Sequence, residues 1–119
     1  MRNNQLPYPS LNEVNYLAFS EISEEYHNEL FGFIEEQGLF PTYLQGRETI
    51  MYNLALKDGS IRAEQKTMTE YIRHQIHHPE DTQNARFTDT DLATSIEDMR
   101  LFIQSQPKMN SSPLMYYGM

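Results

Sequence analysis

The chain contains no cysteine, which excludes disulfides, thiolate zinc sites and cysteine nucleophiles. It also has no apolar run near the roughly 20 residues that a membrane-spanning helix needs. The residues that follow Met1 contain no apolar segment of the kind found in a signal peptide. We therefore expect a cytoplasmic protein with no membrane partner.

Positive charge is scarce as well. Nine Lys and Arg residues stand against 17 Asp and Glu residues, which gives a net charge of -8. Because neutralisation of phosphates supplies most of the affinity for double-stranded nucleic acid, this balance argues against a general nucleic-acid binder, and no DNA partner is expected. The net charge does not exclude a local site that acts on RNA held by another protein.

The length of 119 residues fits one domain. Residues 1–10 are polar and contain two prolines, which predicts an N-terminal arm. Residues 11–106 form the predicted domain, and 107–119 form a C-terminal tail with an apolar, aromatic end. We expect this tail to pack on the same molecule or on a neighbour.

Four segments place apolar residues at helical spacing behind a Ser or Thr that can cap a helix. The predicted helices span 11–20, 23–37 and 68–78, and a last helix begins at Thr88 and closes at Pro107. Ser10 with Glu13, and Thr67 with Glu70, have the spacing of a capping box. The predicted apolar face of the first helix comprises Leu11, Val14, Leu17 and Ala18. An extended segment over 14–19 is the alternative to that helix.

Residues 39–66 are harder to interpret. A short helical turn can lie between Pro41 and Gly46. Apolar residues then alternate along the chain up to Asp58-Gly59, which is typical of a β-hairpin. A helix over 47–57 competes with the hairpin, because Glu, Met, Leu and Ala favour helices. We favour the hairpin, and so predict a mainly α fold: a small bundle of about four helices, with one hairpin before the third.

Three of the four histidines fall within five residues, directly before Pro79. Residues four apart share a helix face, so Arg73 lies above His77, and His74 lies above His78. Basic side chains are favourable at the negative C-terminal end of a helix, so this segment can simply be a well-formed helix end. Alternatively, His74 and His78 have the spacing that can hold a zinc ion, with Glu80 or Asp81 and a third histidine, His27, as further ligands.

Arg73, four further residues and His78 match the Arg-x(4–6)-His motif, and the segment resembles HEPN-type ribonucleases. The resemblance implies an α-helical bundle in which two protomers bring their motifs together. It also implies metal-independent cleavage of RNA, with attack of the ribose 2′-hydroxyl on the adjacent phosphate. Histidine would then serve as general acid and base, and arginine would stabilise charge on the phosphate.

A longer resemblance covers most of residues 12–103. It is similar to the C-terminal region of bacterial AAA-type ATPases linked to phage defence and anticodon nucleases. The matching segments are residues 15–17, 25–30, 71–80, 87–89 and 95–100. The chain has no Walker A motif, so ATP hydrolysis is not implied here, and any ATPase partner would be a separate chain.

These resemblances imply Arg73 and His78 as the catalytic residues. The residues expected to support them are His74, His77, Glu80 and His27. No cofactor and no metal are expected, and the implied assembly is a homodimer acting on RNA. The alternative function is that of a non-catalytic regulatory or protein-interaction domain.

Overall fold

The computed structural model describes Leu6 and residues 10–106. In chain order its elements are α1 (Leu11–Phe19), α2 (Glu24–Glu36), α3 (Phe40–Leu44), β1 (Ile50–Ala55), β2 (Ile61–Lys66), α4 (Met68–His77) and α5 (Asp89–Ser105). The fold is mainly α, as predicted. The predicted tail, and all of the predicted arm except Leu6 and Ser10, lie outside the described residues. Among the helices of that described part, none is long and apolar enough to cross a membrane.

The four long helices begin where their N-caps predict. The side chains of Ser10, Ser23, Thr67 and Thr88 each accept a hydrogen bond from the backbone N–H three residues later. At α4 the predicted capping box is complete, because the Glu70 carboxylate also accepts from the Thr67 backbone N–H at 3.0 Å. Each bond satisfies a helix-end donor that would otherwise have no intrahelical partner.

Among the described residues, the helix count exceeds the predicted number of about four by one. The described residues contain five helices, so the hairpin lies before the fourth helix and not before the third. The extra helix is α3, which the sequence indicated only as a short helical turn. Pro41 occupies its first turn, where proline is tolerated, and the buried Tyr43 ring holds its single turn against the core.

The β-hairpin is confirmed, and the helix over 47–57 is excluded. β1 and β2 pair antiparallel from Ile50 opposite Lys66 to Ala55 opposite Ile61. Gly59 closes the turn at φ +89°, in the region that glycine enters without steric cost. The Leu56 N–H donates to the Ser60 carbonyl at 2.9 Å, which fixes the register next to the turn.

The core lies mainly between α2 and α5, with α4 against both. The apolar residues that recur at helical spacing in α2 and α5 are buried, and Ile72 of α4 packs with them. The buried members of these two faces are Tyr26, Leu30, Phe33 and Ile34 on α2, and Leu92, Ile96, Met99 and Ile103 on α5.

The helix α1 is confirmed, but its predicted apolar face is wrong for Leu11, Val14 and Ala18, and only Leu17 of that face packs, partly buried, against the core. Leu11 and Val14 are exposed by 74% and 47%. The buried face instead carries Glu13 and Tyr16. The Glu13 carboxylate therefore enters the core and accepts from the Tyr26 hydroxyl at 2.9 Å, with the Arg100 guanidinium 3.6 Å away. A buried carboxylate needs such partners, and they orient α1 against its own hydrophobic pattern.

A chain of buried hydrogen bonds crosses the middle of the bundle. The Tyr43 hydroxyl meets the Thr69 hydroxyl at 2.8 Å, Thr69 meets the Ser95 hydroxyl at 2.8 Å, and Ser95 meets His27 Nε2 at 2.7 Å. We call these four residues the hydroxyl chain. It joins α3, α4, α5 and α2 in that order, so it ties the position of α4 to three other helices.

Replacing Ser95 by Ala should lower the free energy of unfolding by about 1–3 kcal/mol, because Thr69 and His27 both lose a buried partner. Urea denaturation measures this change. Thr94→Ala, one residue earlier on the exposed side of α5, is the matched control and should stay within about 0.5 kcal/mol of the wild type. Equal effects from the two variants would show that the hydroxyl chain adds nothing to stability.

Candidate functional site

The histidine segment forms the C-terminal half of α4. His78 is the C-cap residue, and its backbone N–H still donates to the His74 carbonyl at 2.9 Å. Pro79 then ends the helix, as predicted, because it has no N–H to donate and disfavours helical geometry in the residue before it. The segment therefore reaches the surface only at its end, where His77 and His78 are exposed, on a helix that begins at a complete capping box.

The loop after α4 folds back along the helix. Tyr71 donates its hydroxyl to the Ala85 carbonyl at 2.6 Å, and the Gln75 amide donates to the same carbonyl at 2.9 Å. The Gln75 side-chain oxygen in turn accepts from the Phe87 N–H at 3.0 Å. Tyr52 of β1 binds Asp81 at 2.7 Å. These bonds fix residues 80–87 between the hairpin and α4.

A surface cleft of about 270 Å³ opens between α2, the end of β2 and α4. It is lined by Phe31, Lys66, Glu70, Arg73, His74, His77 and His78. We call it the cationic cleft. The Glu70 carboxylate is engaged by the Thr67 cap, and Lys66 lies 3.4 Å from Glu64 on its own strand. Of the two side chains Lys66 and Arg73, Arg73 is therefore the one whose positive charge is less neutralised by carboxylates.

The Arg73 guanidinium lies over the Phe31 ring, with its central carbon 4.2 Å from the ring centroid. Within the described part of the chain it makes no ion pair, and its buried Nη1 atom has no hydrogen-bond partner there. Stacking on an aromatic face holds a guanidinium in place and leaves its N–H groups available. The geometry thus presents a fixed cation that no carboxylate of the described residues neutralises.

His78 lies at the rim of the same cleft. Its Nδ1 atom is 3.2 Å from Glu80 Oε2, and its side chain is about half exposed. A backbone hydrogen bond, and then the bond with His78, lower the pKa of Glu80, so this carboxylate stays ionised. An ionised carboxylate at Nδ1 orients an imidazole and leaves Nε2 as the nitrogen for chemistry.

His74 has a different environment from His78. Its ring packs between those of Tyr52 and His78, with centroid distances of 4.7 and 4.6 Å. Burial lowers the pKa of His74, and the nearby His78 and Lys66 lower it further. His74 is therefore neutral at neutral pH and supports its neighbours by packing. His77 is exposed and lines the cleft beside Arg73.

His27 lies in the core and does not line the cleft. It is completely buried, its Nε2 bonds to Ser95, and its Nδ1 has no partner among the described residues. Burial lowers the pKa of His27 to about 4, and the positive charge of Arg73 contributes. His27 is therefore a neutral group of the core and not part of the cleft.

The alternative zinc site at His74 and His78 lacks a third ligand in residues 10–106. No group of three or more His, Asp or Glu side chains in that range could hold a metal ion. His27 is bonded to Ser95 in the core, and the ring of His78 is turned to Glu80.

The structure brings five of the six predicted site residues together at this end of α4. These are Arg73, His74, His77, His78 and Glu80. Phe31, Lys66 and Tyr52 were not predicted to belong to the site. Phe31 lies one helical turn after His27, and Lys66 directly precedes the α4 cap. Their contacts with α4 join separate elements, and a local sequence pattern does not predict such contacts.

The free energy of unfolding should fall as the pH is lowered from 6.5 to 4. The pKa of His27 is depressed in the folded protein, so the unfolded state binds the extra proton in this range and is favoured. Below pH 4 the loss should reach roughly 3 kcal/mol. Denaturation at several pH values measures it. His27→Gln, which cannot titrate, is the comparison, and the same slope in both proteins would contradict a buried neutral histidine.

Comparisons with models of known families, with curated proteins and with solved structures give no match to this chain. A functional proposal therefore depends on the geometry of the cationic cleft and on the resemblance drawn from the sequence.

Proposed function

We propose that the cationic cleft binds and cleaves RNA at a phosphodiester bond without a metal ion, as a HEPN-like module. The observation that carries the proposal is Arg73: a stacked guanidinium with no ion-pair partner in the described residues, in one cleft with His77 and His78. In a chain of net charge -8, a fixed and unneutralised cation beside imidazoles favours a bound anion.

The chemistry follows from the roles that these side chains can fill. His78, oriented by Glu80, would accept the proton of the ribose 2′-hydroxyl as that oxygen attacks phosphorus. Arg73 would stabilise the negative charge that develops on the phosphate oxygens. The departing 5′-oxygen needs a proton, and His77 on the same cleft would supply it. The products are a cyclic phosphate and a free 5′-hydroxyl.

The acidic surface sets the conditions for such an activity. A net charge of -8 repels the rest of an RNA chain, so the cleft would act on RNA that is presented to it. A homodimer that faces two cationic clefts, or a separate ATPase chain, would provide that presentation. Both partners are those that the resemblances imply.

The alternative function is a non-catalytic interaction domain, and the exposed side of α1 favours it. Leu11, Val14 and Phe19 are exposed by 74%, 47% and 75%. Large apolar side chains of this exposure on one short helix are more typical of contact surfaces than of a free surface. In that case the basic end of α4 would serve only as a favourable helix end.

The wild-type protein should cleave total RNA or tRNA in the presence of EDTA. Arg73→Ala should lower the rate by about 10²–10³-fold, because the developing phosphate charge loses its donor. His78→Ala should lower it by about 10²–10⁴-fold through loss of the acid/base group. Gel analysis of product formation over time measures these rates.

Arg62→Ala is the matched control for that assay. Arg62 is an exposed arginine on the hairpin, paired only with Glu64 in the described residues, and it does not line the cleft. It should cleave at the wild-type rate. An inactive wild-type protein, or equal trace cleavage by all four proteins, would exclude the enzyme and favour the interaction domain.

A further inference from the structure

A second cleft, of about 250 Å³, adjoins the cationic cleft on the side of the hairpin. We call it the hairpin cleft. Its lining includes Tyr52, Asn53, Ala55, Glu80 and Asp81, together with His74 and His78, which also line the cationic cleft. The two imidazoles therefore form a wall that both clefts share, and a ligand that fills both must pass His78.

An aromatic series leads from the core to that wall. The ring of Tyr71 meets that of Tyr52 at a centroid distance of 5.0 Å, and Tyr52 meets His74 at 4.7 Å. His74 then meets His78 at 4.6 Å, and His78 is the half-exposed end of the series. A planar aromatic ligand that stacks on His78 would continue it.

The edge of β1 supplies hydrogen-bonding groups to the same cleft. Because Leu56 and Ser60 are a hydrogen-bonded pair, alternation along an antiparallel ladder turns the N–H and C=O of Met51, Asn53 and Ala55 away from β2. Asn84 occupies both groups of Asn53, at 2.7 and 2.9 Å. The next donor and acceptor along this edge belong to Ala55, which lines the cleft.

We infer that the hairpin cleft holds a nucleobase, stacked on His78 and hydrogen-bonded to the backbone edge of Ala55. The inference rests on the proposed function, and it specifies where the nucleoside next to the scissile phosphate binds. With the base in the hairpin cleft and the phosphate beside Arg73, the ribose crosses the shared wall. That path brings its 2′-hydroxyl to His78, the residue that must take its proton.

The chemistry of the cleft favours a base over a peptide strand. A peptide that extends the sheet needs successive free groups along β1, and Asn84 interrupts them at Asn53. A base needs one donor, one acceptor and one stacking face. Glu80 and Asp81 add acceptors to the rim, which favours bases that carry an amino group, such as adenine.

Titrations of the isotope-labelled protein, followed by NMR, test the placement. Adenosine should shift the Ala55 amide and the His78 ring. Inorganic phosphate should shift the Arg73 side chain, and adenosine 3′-monophosphate should shift all three groups and bind more tightly than either. If adenosine leaves Ala55 and His78 unchanged, the inference is overturned, as it is if only an extended peptide shifts Met51 and Ala55.

Ala55→Pro removes the N–H that the base would use, and it should weaken adenosine binding about tenfold. The N–H of Ala55 points out of the ladder, where proline is tolerated. Ala63→Pro is the matched control, because Ala63 pairs with Asn53 and turns its N–H to the opposite edge of the hairpin. Equal binding by the two variants would contradict the assigned edge.

His78→Phe separates the inference from the proposed function. It keeps an aromatic face for stacking and removes the proton-transfer group, so adenosine binding should persist within about threefold while RNA cleavage is lost. If the wild-type protein binds adenosine at Ala55 but cleaves no RNA, the proposed RNA cleavage is contradicted and the nucleobase site stands. If the protein cleaves RNA but does not bind adenosine at Ala55, the nucleobase site is contradicted and the proposed RNA cleavage stands.

Discussion

The hydroxyl chain, in which buried hydrogen bonds run from Tyr43 through Thr69 and Ser95 to His27, holds four helices of the bundle together. Each of these polar groups would cost about 1–3 kcal/mol if it were buried without a partner. An arrangement of the helices that completes the hydroxyl chain is therefore favoured over one that leaves these groups unpaired. Since Thr69 lies in the first turn of α4, the hydroxyl chain also fixes the position of the C-terminal end of that helix, which carries the histidines.

The position of α4 produces the electrostatics of the site. Burial, and then the positive charge of Arg73, keep His27 neutral, so this histidine adds no second positive charge to the core. His78 lies outside the core, where Glu80 holds its Nδ1 atom. One short segment thus contains histidines with different environments: a packed neutral His74, an exposed His77 and an oriented His78. Such differences between like residues allow a site to divide acid, base and packing roles.

Much of the fold was predictable because its signals are local. The caps at Ser23, Thr67 and Thr88 and the turn at Gly59 depend on a few neighbouring residues. The buried faces of α2 and α5 follow from apolar periodicity over several turns. The face of α1 was not predictable in this way, since Glu13 is buried by partners 13 and 87 residues further along the chain. The α3 helix has a single turn, which is too short for periodicity to define it.

The composition of the site follows from the amino-acid sequence alone: an arginine and three histidines lie at the proline-terminated end of a helix, and Glu80 follows them. It also determined their helical phase, because residues four apart share a face. The folded chain was needed to show that Phe31 holds the Arg73 guanidinium, that Tyr52 supports His74, and that His27 lies in the core. Burial and side-chain contacts join residues that are distant in sequence, whereas helix caps, turns and helical phase depend on neighbouring residues.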